Sequence, residues 1–177
     1  MSQAEGRLGA VIIFMPFEPA LDRTGFACGR PELDKWLREY AGQQERAGSA
    51  RTTFAVDEKE ACIAGFFSLV TYQLEPSEAA GAMAGKRKYP IPAMLLARLA
   101  VDVDYQGRGI GRIVLFTALE YLVKTSHAIG FEIVVVDALD ESAACFYLKH
   151  GFRRFADHGL KLFMTTQDLR ATFINPR

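Results

Sequence analysis

The stretch Gln106-Gly107-Arg108-Gly109-Ile110-Gly111-Arg112 sets glycines at alternate positions, immediately ahead of a helical pattern. Residues without a Cβ let several backbone N–H groups turn toward one anion, and a helix N-terminus adds its partial positive charge. The stretch therefore predicts a cradle for a phosphate or pyrophosphate, with the guanidinium groups of Arg108 and Arg112 as secondary contributors. A dinucleotide fingerprint needs glycines at its first, third and sixth positions, but the sixth counted from Gly107 is Arg112. A nucleoside-triphosphate loop needs Gly-Lys followed by Ser or Thr, and no such triplet occurs.

What remains is the Gln/Arg-x-x-Gly-x-Gly/Ala loop of acyl-coenzyme A transferases, satisfied by Gln106, Gly109 and Gly111. Other chemistries find less support. The cysteines, Cys28, Cys62 and Cys145, are odd in number and widely spaced, which suits reduced thiols in the cytosol rather than a disulfide framework. Cys28 and Cys145 read as small buried apolar residues. His127, His150 and His158 lack metal-ligand spacing, so no metal is expected. Lys plus Arg and Asp plus Glu both number 21, so any nucleic-acid binding must use a local patch. With 177 residues, 50% of them hydrophobic, the chain is expected to form one domain spanning 1–177 with a substantial core. Arg7 and the apolar run after it faintly resemble a secretory signal, but Pro16 and Glu18 end that run. No run approaches the length of a membrane span, and a cytoplasmic, membrane-free protein is expected.

The elements that must position the loop follow from patterning. Residues 10–15 read as a strand, and Pro31 opens an amphipathic helix through Tyr40 with Leu33, Trp36 and Leu37 on its apolar face. Residues 52–56 and 62–74 form a hairpin pattern, and 76–92, with Lys86, Arg87 and Lys88, reads as an exposed loop. Residues 94–103 alternate, with Leu95, Ala97, Leu99, Val101 and Val103 on one face and Arg98 and Asp102 on the other. A helix over 110–125, a buried strand over 132–136, a helix over 140–149 closed by Gly151, and strand segments near Phe155 and over 162–166 complete the chain. Strand, glycine turn, helix, strand makes one βαβ crossover.

Leu99-Ala100-Val101-Asp102, the glycine loop, and Phe146-Tyr147-Leu148-Lys149-His150-Gly151-Phe152 occur in an order that resembles the GNAT family of N-acetyltransferases, over roughly residues 50–168. The resemblance implies an α/β, three-layer sandwich: a mixed, twisted sheet of six or seven strands with helices on both faces. It implies acetyl-CoA as cosubstrate, its pantetheine arm on the backbone of Leu99, Ala100 and Val101. Its pyrophosphate would lie on Gln106, Gly107, Arg108, Gly109, Ile110, Gly111 and Arg112, with Phe146 nearby. Tyr147 would be the general acid that protonates the departing thiolate, since a free phenol with pKa near ~10 is protonated at neutral pH. The family often has Asn where Asp140 stands. No general base is visible on the strand before the loop, where Arg98 stands. That absence suits an α-amine, of which roughly a quarter is neutral near pH 7.4, better than a lysine amine, on the order of 0.1% neutral.

Phe26-Ala27-Cys28-Gly29 and Leu33-Asp34-Lys35-Trp36-Leu37 extend the resemblance to the GNAT toxins of bacterial toxin–antitoxin pairs, over about residues 17–169. Those enzymes acetylate the α-amine of aminoacyl-tRNA and block translation. The resemblance implies Arg46, Arg51, Lys86, Arg87, Lys88 and Arg98 as candidates for tRNA phosphates, a small ribbon-helix-helix antitoxin as partner, and a homodimer. Two alternatives stay open: an ordinary acetyltransferase of a small amine or protein N-terminus, and a non-catalytic acyl-CoA or partner-binding module.

Overall fold

A computed structural model describes residues 9–79, 82–83, 87–156 and 158–174. Among these residues seven strands hydrogen-bond in the order β1-β2-β3-β4-β5-β7-β6. They are β1 (Ile12–Pro16), β2 (Arg51–Asp57), β3 (Cys62–Leu74), β4 (Ile91–Val101), β5 (Ile133–Asp137), β6 (Arg153–Arg154) and β7 (Lys161–Thr165). The helices are α1 (Pro31–Glu39), α2 (Ala41–Ala47), α3 (Pro76–Ala79), α4 (Ile110–Thr125), α5 (Glu141–Lys149) and α6 (Thr166–Ile174). The α/β class and strand number match the expectation. The chain divides into two compact units, 1–68 with 98–115 and 69–97 with 116–177, and β3, β4 and α4 contribute residues to both.

In the first unit β1 pairs antiparallel with β2 from Ile12↔Asp57 to Pro16↔Thr53. Pro16 has no N–H to offer and ends the edge strand, where the ladder loses nothing. Pro31 starts α1, Glu32 and Asp34 occupy its first turn and Arg38 its last, each complementing the helix dipole. The buried Asp34 carboxylate accepts the Cys28 N–H at 2.9 Å, fixing the chain entering the helix. Trp36 and Leu37 join Phe26, Phe54, Phe66 and Ala100 in one core, with the Trp36 and Phe66 rings stacked at 5.9 Å. The helical reading that stopped at Tyr40 missed α2, whose sequence AGQQERA has no apolar stripe; Gly48, at φ 72°, ends it.

β4 keeps the expected alternation around Arg98. The Arg98 guanidinium lies 4.0 Å over the Trp36 ring and Ala100 belongs to the same core, so both face the side shared with α1. Val103, expected on the strand, lies in a 3-10 turn (Val103–Tyr105) and is 51% exposed. Gly65 makes this stretch of β4 fit: a Cβ there would stand 2.8 Å from the Ala100 carbonyl oxygen.

In the second unit β4 runs parallel to β5, Ala93↔Ile133 to Leu95↔Val135, and β7 lies antiparallel to both β5 and β6. Ile133, Val135 and Phe163 share a core with Ile91, Ala93 and Leu74. The loop expected over 76–92 begins with the short helix α3 and ends in the first residues of β4. The strand segment near Phe155 is the two-residue β6, just before it. α6 was not foreseen, although its start is legible: the Thr165 hydroxyl accepts the Asp168 N–H at 3.1 Å, an N-cap with its acidic residue three positions on. Leu169 buries fully, and Arg170 donates to the Ser126 hydroxyl and carbonyl at 3.0 and 2.8 Å. Among the described residues no helix is long and apolar enough to cross a membrane.

Candidate active site

The glycine loop belongs to the first unit, and its local geometry is that of an anion cradle. Gly107 and Gly109 stand at φ 73° and 78°, a left-handed conformation costly for residues with a Cβ. The first helical bond of α4 runs from the Ile113 N–H to the Gly109 carbonyl, so the loop feeds directly into the N-terminal turn. Backbone donors there, and open space beside both glycines, suit the diphosphate of a coenzyme. Arg108 and Arg112 are exposed, and the Arg108 guanidinium lies 6.0 Å over the Tyr105 ring.

Gln106 ties the loop down. Its side-chain amide donates to the Cys28 carbonyl and the Val101 carbonyl, both at 2.8 Å, so it braces the loop against its own unit. Asp102 works beside it, accepting the Ala27 and Asp104 N–H groups at 3.0 and 2.9 Å. Below the loop the Tyr105 hydroxyl donates to the Asp57 carboxylate at 2.8 Å and meets the Cys62 thiol at 3.3 Å. Burial, with those two neighbours, pushes the Tyr105 phenol above its usual range. Burial alone would raise the Asp57 pKa, but hydrogen bonds from Tyr105, Lys59 and Glu60 outweigh it and hold the carboxyl below its ordinary value. A cavity of about 230 Å³ beside this turn is lined by Asp22, Asp102 and Asp104 together with Phe26, Cys62 and Tyr105. Its carboxylates make it unsuitable for phosphate.

Ala100 and Val101 are buried and Leu99 half-buried. The β4–β5 ladder stops at Leu95↔Val135 although β4 continues to Val101 and β5 to Asp137.

Tyr147 belongs to the second unit. α5 begins where the Asp140 carboxylate accepts the Ala143 N–H at 2.8 Å, so the residue standing in place of Asn caps the helix. The chain turns out of α5 through Gly151, at φ 92°, while the Phe152 N–H returns to the Tyr147 carbonyl. These constraints hold the Tyr147 ring edge-on between Phe146 at 5.2 Å and Phe152 at 5.5 Å, with only 7% of the residue exposed. No described residue hydrogen-bonds its hydroxyl, and burial pushes its pKa up from the ordinary phenol value. The result is a phenol whose ring is fixed by packing and whose proton is held more tightly than usual. Cys145, expected to be buried, is exposed, because α5 turns that position outward.

The basic candidates differ among themselves. Arg46 and Lys88 are exposed. Arg51 pairs with Glu45 at 3.1 Å, and the same carboxylate takes the Thr52 N–H. Arg87 pairs with Glu132 at 2.6 Å. Arg98 is half-buried on Trp36 with no carboxylate partner among the described residues, and Lys86 lies outside the described residues.

One polar cluster in the second unit escaped the sequence reading. The Lys161 ammonium donates to the Tyr72 hydroxyl at 3.0 Å and stands 3.5 Å from Asp137 and 3.4 Å from Glu78. Strand register sets Asp137 opposite Lys161, and the fold brings Tyr72 and Glu78, from an earlier part of the chain, to the same ammonium. Among the described residues no group of three or more His, Cys, Asp or Glu side chains is arranged to hold a metal ion.

Residues 49–154 match the model of the acetyltransferase (GNAT) domain. The chain is 33% identical over 150 residues to a tRNA-acetylating toxin of Mycobacterium tuberculosis (strain ATCC 25618 / H37Rv), covering 85% of this chain and 89% of that one. Among solved structures it resembles a tyrosine-to-phenylalanine mutant of KacT, with TM-score 0.83, 25% identity and coverage of 92% of this chain and 99% of the other. It also resembles AtaTR bound with acetyl-CoA, with TM-score 0.79, 25% identity and coverage of 92% and 98%. A family model matched over residues 49–154 and a relative 33% identical over 85% of the chain have one meaning: this chain belongs to the GNAT family and is an N-acetyltransferase.

Proposed function

We propose that the protein transfers acetyl from acetyl-CoA to the α-amine of aminoacyl-tRNA and so acts as a toxin that blocks translation. The relative that is a tRNA-acetylating toxin, matched over 85% of this chain, carries this reading. Acetyl-CoA, present in the AtaTR structure, supplies the acetyl thioester. The N–H groups of the 107–111 loop would hold its diphosphate, and the backbone of Leu99, Ala100 and Val101 its pantetheine arm. Phe146 would border the thioester.

Tyr147 donates its hydroxyl proton toward sulfur as negative charge develops there. Raised by burial, the phenol stays protonated across the physiological range and needs no activation. A phenolate left in so apolar a setting is unfavourable, so the proton is promptly restored from solvent.

The chain has no net charge, so tRNA must be held by particular groups rather than by a broad positive field. Arg98 is the best placed of these, since its guanidinium is partly desolvated, lies 4.0 Å over the Trp36 ring and has no carboxylate partner among the described residues. Arg46 and Lys88 are exposed enough to follow. A cytoplasmic homodimer and a ribbon-helix-helix antitoxin complete the proposal. The pairing of Arg51 and Arg87 with carboxylates favours a second reading, acetylation of a small amine, because two candidate phosphate contacts are already neutralised.

Labelled acetyl from acetyl-CoA, offered to charged and deacylated tRNA in parallel, separates the two. Label on charged tRNA alone, lost in Tyr147→Phe, supports the toxin. Coenzyme A release with small amines and no label on tRNA favours the second reading.

A further inference from the structure

The reaction forms a bond between nitrogen and the acetyl carbon, breaks the bond from that carbon to sulfur, removes one proton from nitrogen and adds one to sulfur. Tyr147 accounts for the proton reaching sulfur. The strand before the loop provides no carboxylate for the nitrogen.

The second unit does provide one. Asp137 is the last residue of β5, beyond the point where the β4–β5 ladder ends at Leu95↔Val135. It sits opposite Lys161 on β7, and the pairs Val135↔Phe163 and Ile133↔Thr165 show that Asp137 lies on the same sheet face as the core residues Ile133, Val135 and Phe163. Where that face runs out of core, it carries Asp137, Lys161 and Tyr72. Lys161 touches the Oδ1 side of Asp137 at 3.5 Å, and Oδ2 has no partner among the described residues. The Tyr72 hydroxyl accepts from Lys161 and keeps its own proton to donate. One ammonium between two carboxylates leaves the cluster a net negative charge, which favours an incoming amine and the positive charge its nitrogen gains on attack.

We infer that Asp137 receives the acceptor's amino group and takes the proton its nitrogen loses, with Lys161 and Glu78 positioning the carboxylate and Tyr72 donating to the acceptor's carbonyl. This rests on the N-acetyltransferase reaction and deepens the aminoacyl reading, because an α-amine one carbon from a carbonyl presents both groups to a carboxylate and a phenol together. Before attack, an N–H of the neutral amine donates to the carboxylate and leaves the lone pair for the thioester carbon. After attack, the nitrogen is cationic and its proton passes to Asp137, which later loses it to solvent. Asp137 thus acts more strongly in the transition state than in the ground state.

The test uses the full chain with two acceptors, charged tRNA and methionine methyl ester, and reads kcat and KM for each beside the Kd of acetyl-CoA and the melting temperature. Asp137→Asn is expected to lower kcat about 100-fold on an accepted amine, within the usual range for losing a general base, while acetyl-CoA binds within twofold of wild type. Asp137→Glu is expected to regain part of the rate, and Lys161→Met to raise the acceptor KM several-fold with a smaller change in kcat. An Asp137→Asn enzyme within threefold of wild type, or one whose loss is matched by lost acetyl-CoA binding, overturns the inference. Wild-type activity on the ester with none on charged tRNA refutes the tRNA reading, and the Asp137 comparison on the ester still decides this one.

Discussion

The two ends of the reaction are built in different ways. The proposed diphosphate cradle is one continuous stretch that would bind through its backbone, set by two left-handed glycines and tied down by Gln106 and Asp102. The Asp137–Lys161–Tyr72 cluster is made of side chains from three strands, with Tyr72 and Lys161 89 residues apart. Backbone recognition needs a local conformation and writes itself into consecutive residues. Side-chain recognition needs a fold, and leaves no mark in the sequence until register brings the residues together.

That contrast can be broken most sharply at Tyr147. Replacement by Phe is expected to lower kcat by about 10²–10⁴, the usual range for a lost general acid, with acetyl-CoA affinity unchanged by calorimetry. A parallel loss of coenzyme binding would return the residue to a packing role between Phe146 and Phe152. At the other end, Gly109→Val strains a backbone at φ 78° by about 1–2 kcal/mol and narrows the cradle. It should weaken acetyl-CoA binding about tenfold while leaving kcat at saturation close to wild type.

Tyr105→Phe sharpens the account of how the loop is supported. It leaves the buried Asp57 carboxylate without its 2.8 Å donor, and a destabilisation of about 1–3 kcal/mol should appear in chemical unfolding. The smallest effect is in the pH profile. Because burial raises the Tyr147 pKa, kcat/KM should climb through the α-amine range near ~7.7–8.0 and then hold level to about pH 10. A falling limb below pH 10 would mean that the phenol ionises earlier than its apolar surroundings allow.

Much of the fold was legible because periodicity reports burial. The buried run of β5, the apolar face of α1 and the spacing of α4 all reflect one face packed against a core. α2 and α6 were missed for a shared reason: they are short and mostly polar, so their signals are caps, Gly48 and Thr165, rather than stripes. In the candidate site, the backbone freedom that Gly107 and Gly109 use and the Gly151 turn that ends the helix of Tyr147 were readable from their motifs. The bracing by Gln106 was not, since the carbonyls that its amide reaches, at Cys28 and Val101, are set by the fold. Nor was the contact of Arg98 with Trp36, since alternation assigns a strand residue to a face but not the ring that packs on it.

By itself the sequence determined the local conformations and the family: glycines where φ must be positive, apolar spacing where a face is buried, and a tyrosine ahead of the Gly-Phe turn. Tertiary structure alone decided which charges are spent and which remain for chemistry. Arg51 and Arg87 are neutralised by Glu45 and Glu132, whereas among the described residues Arg98 has no carboxylate partner over Trp36 and Asp137 keeps one oxygen open beside Lys161. The physical reason is range: a φ angle is set by its own residue and neighbours, but an ion pair forms between whatever side chains strand register and helix packing bring within about 4 Å.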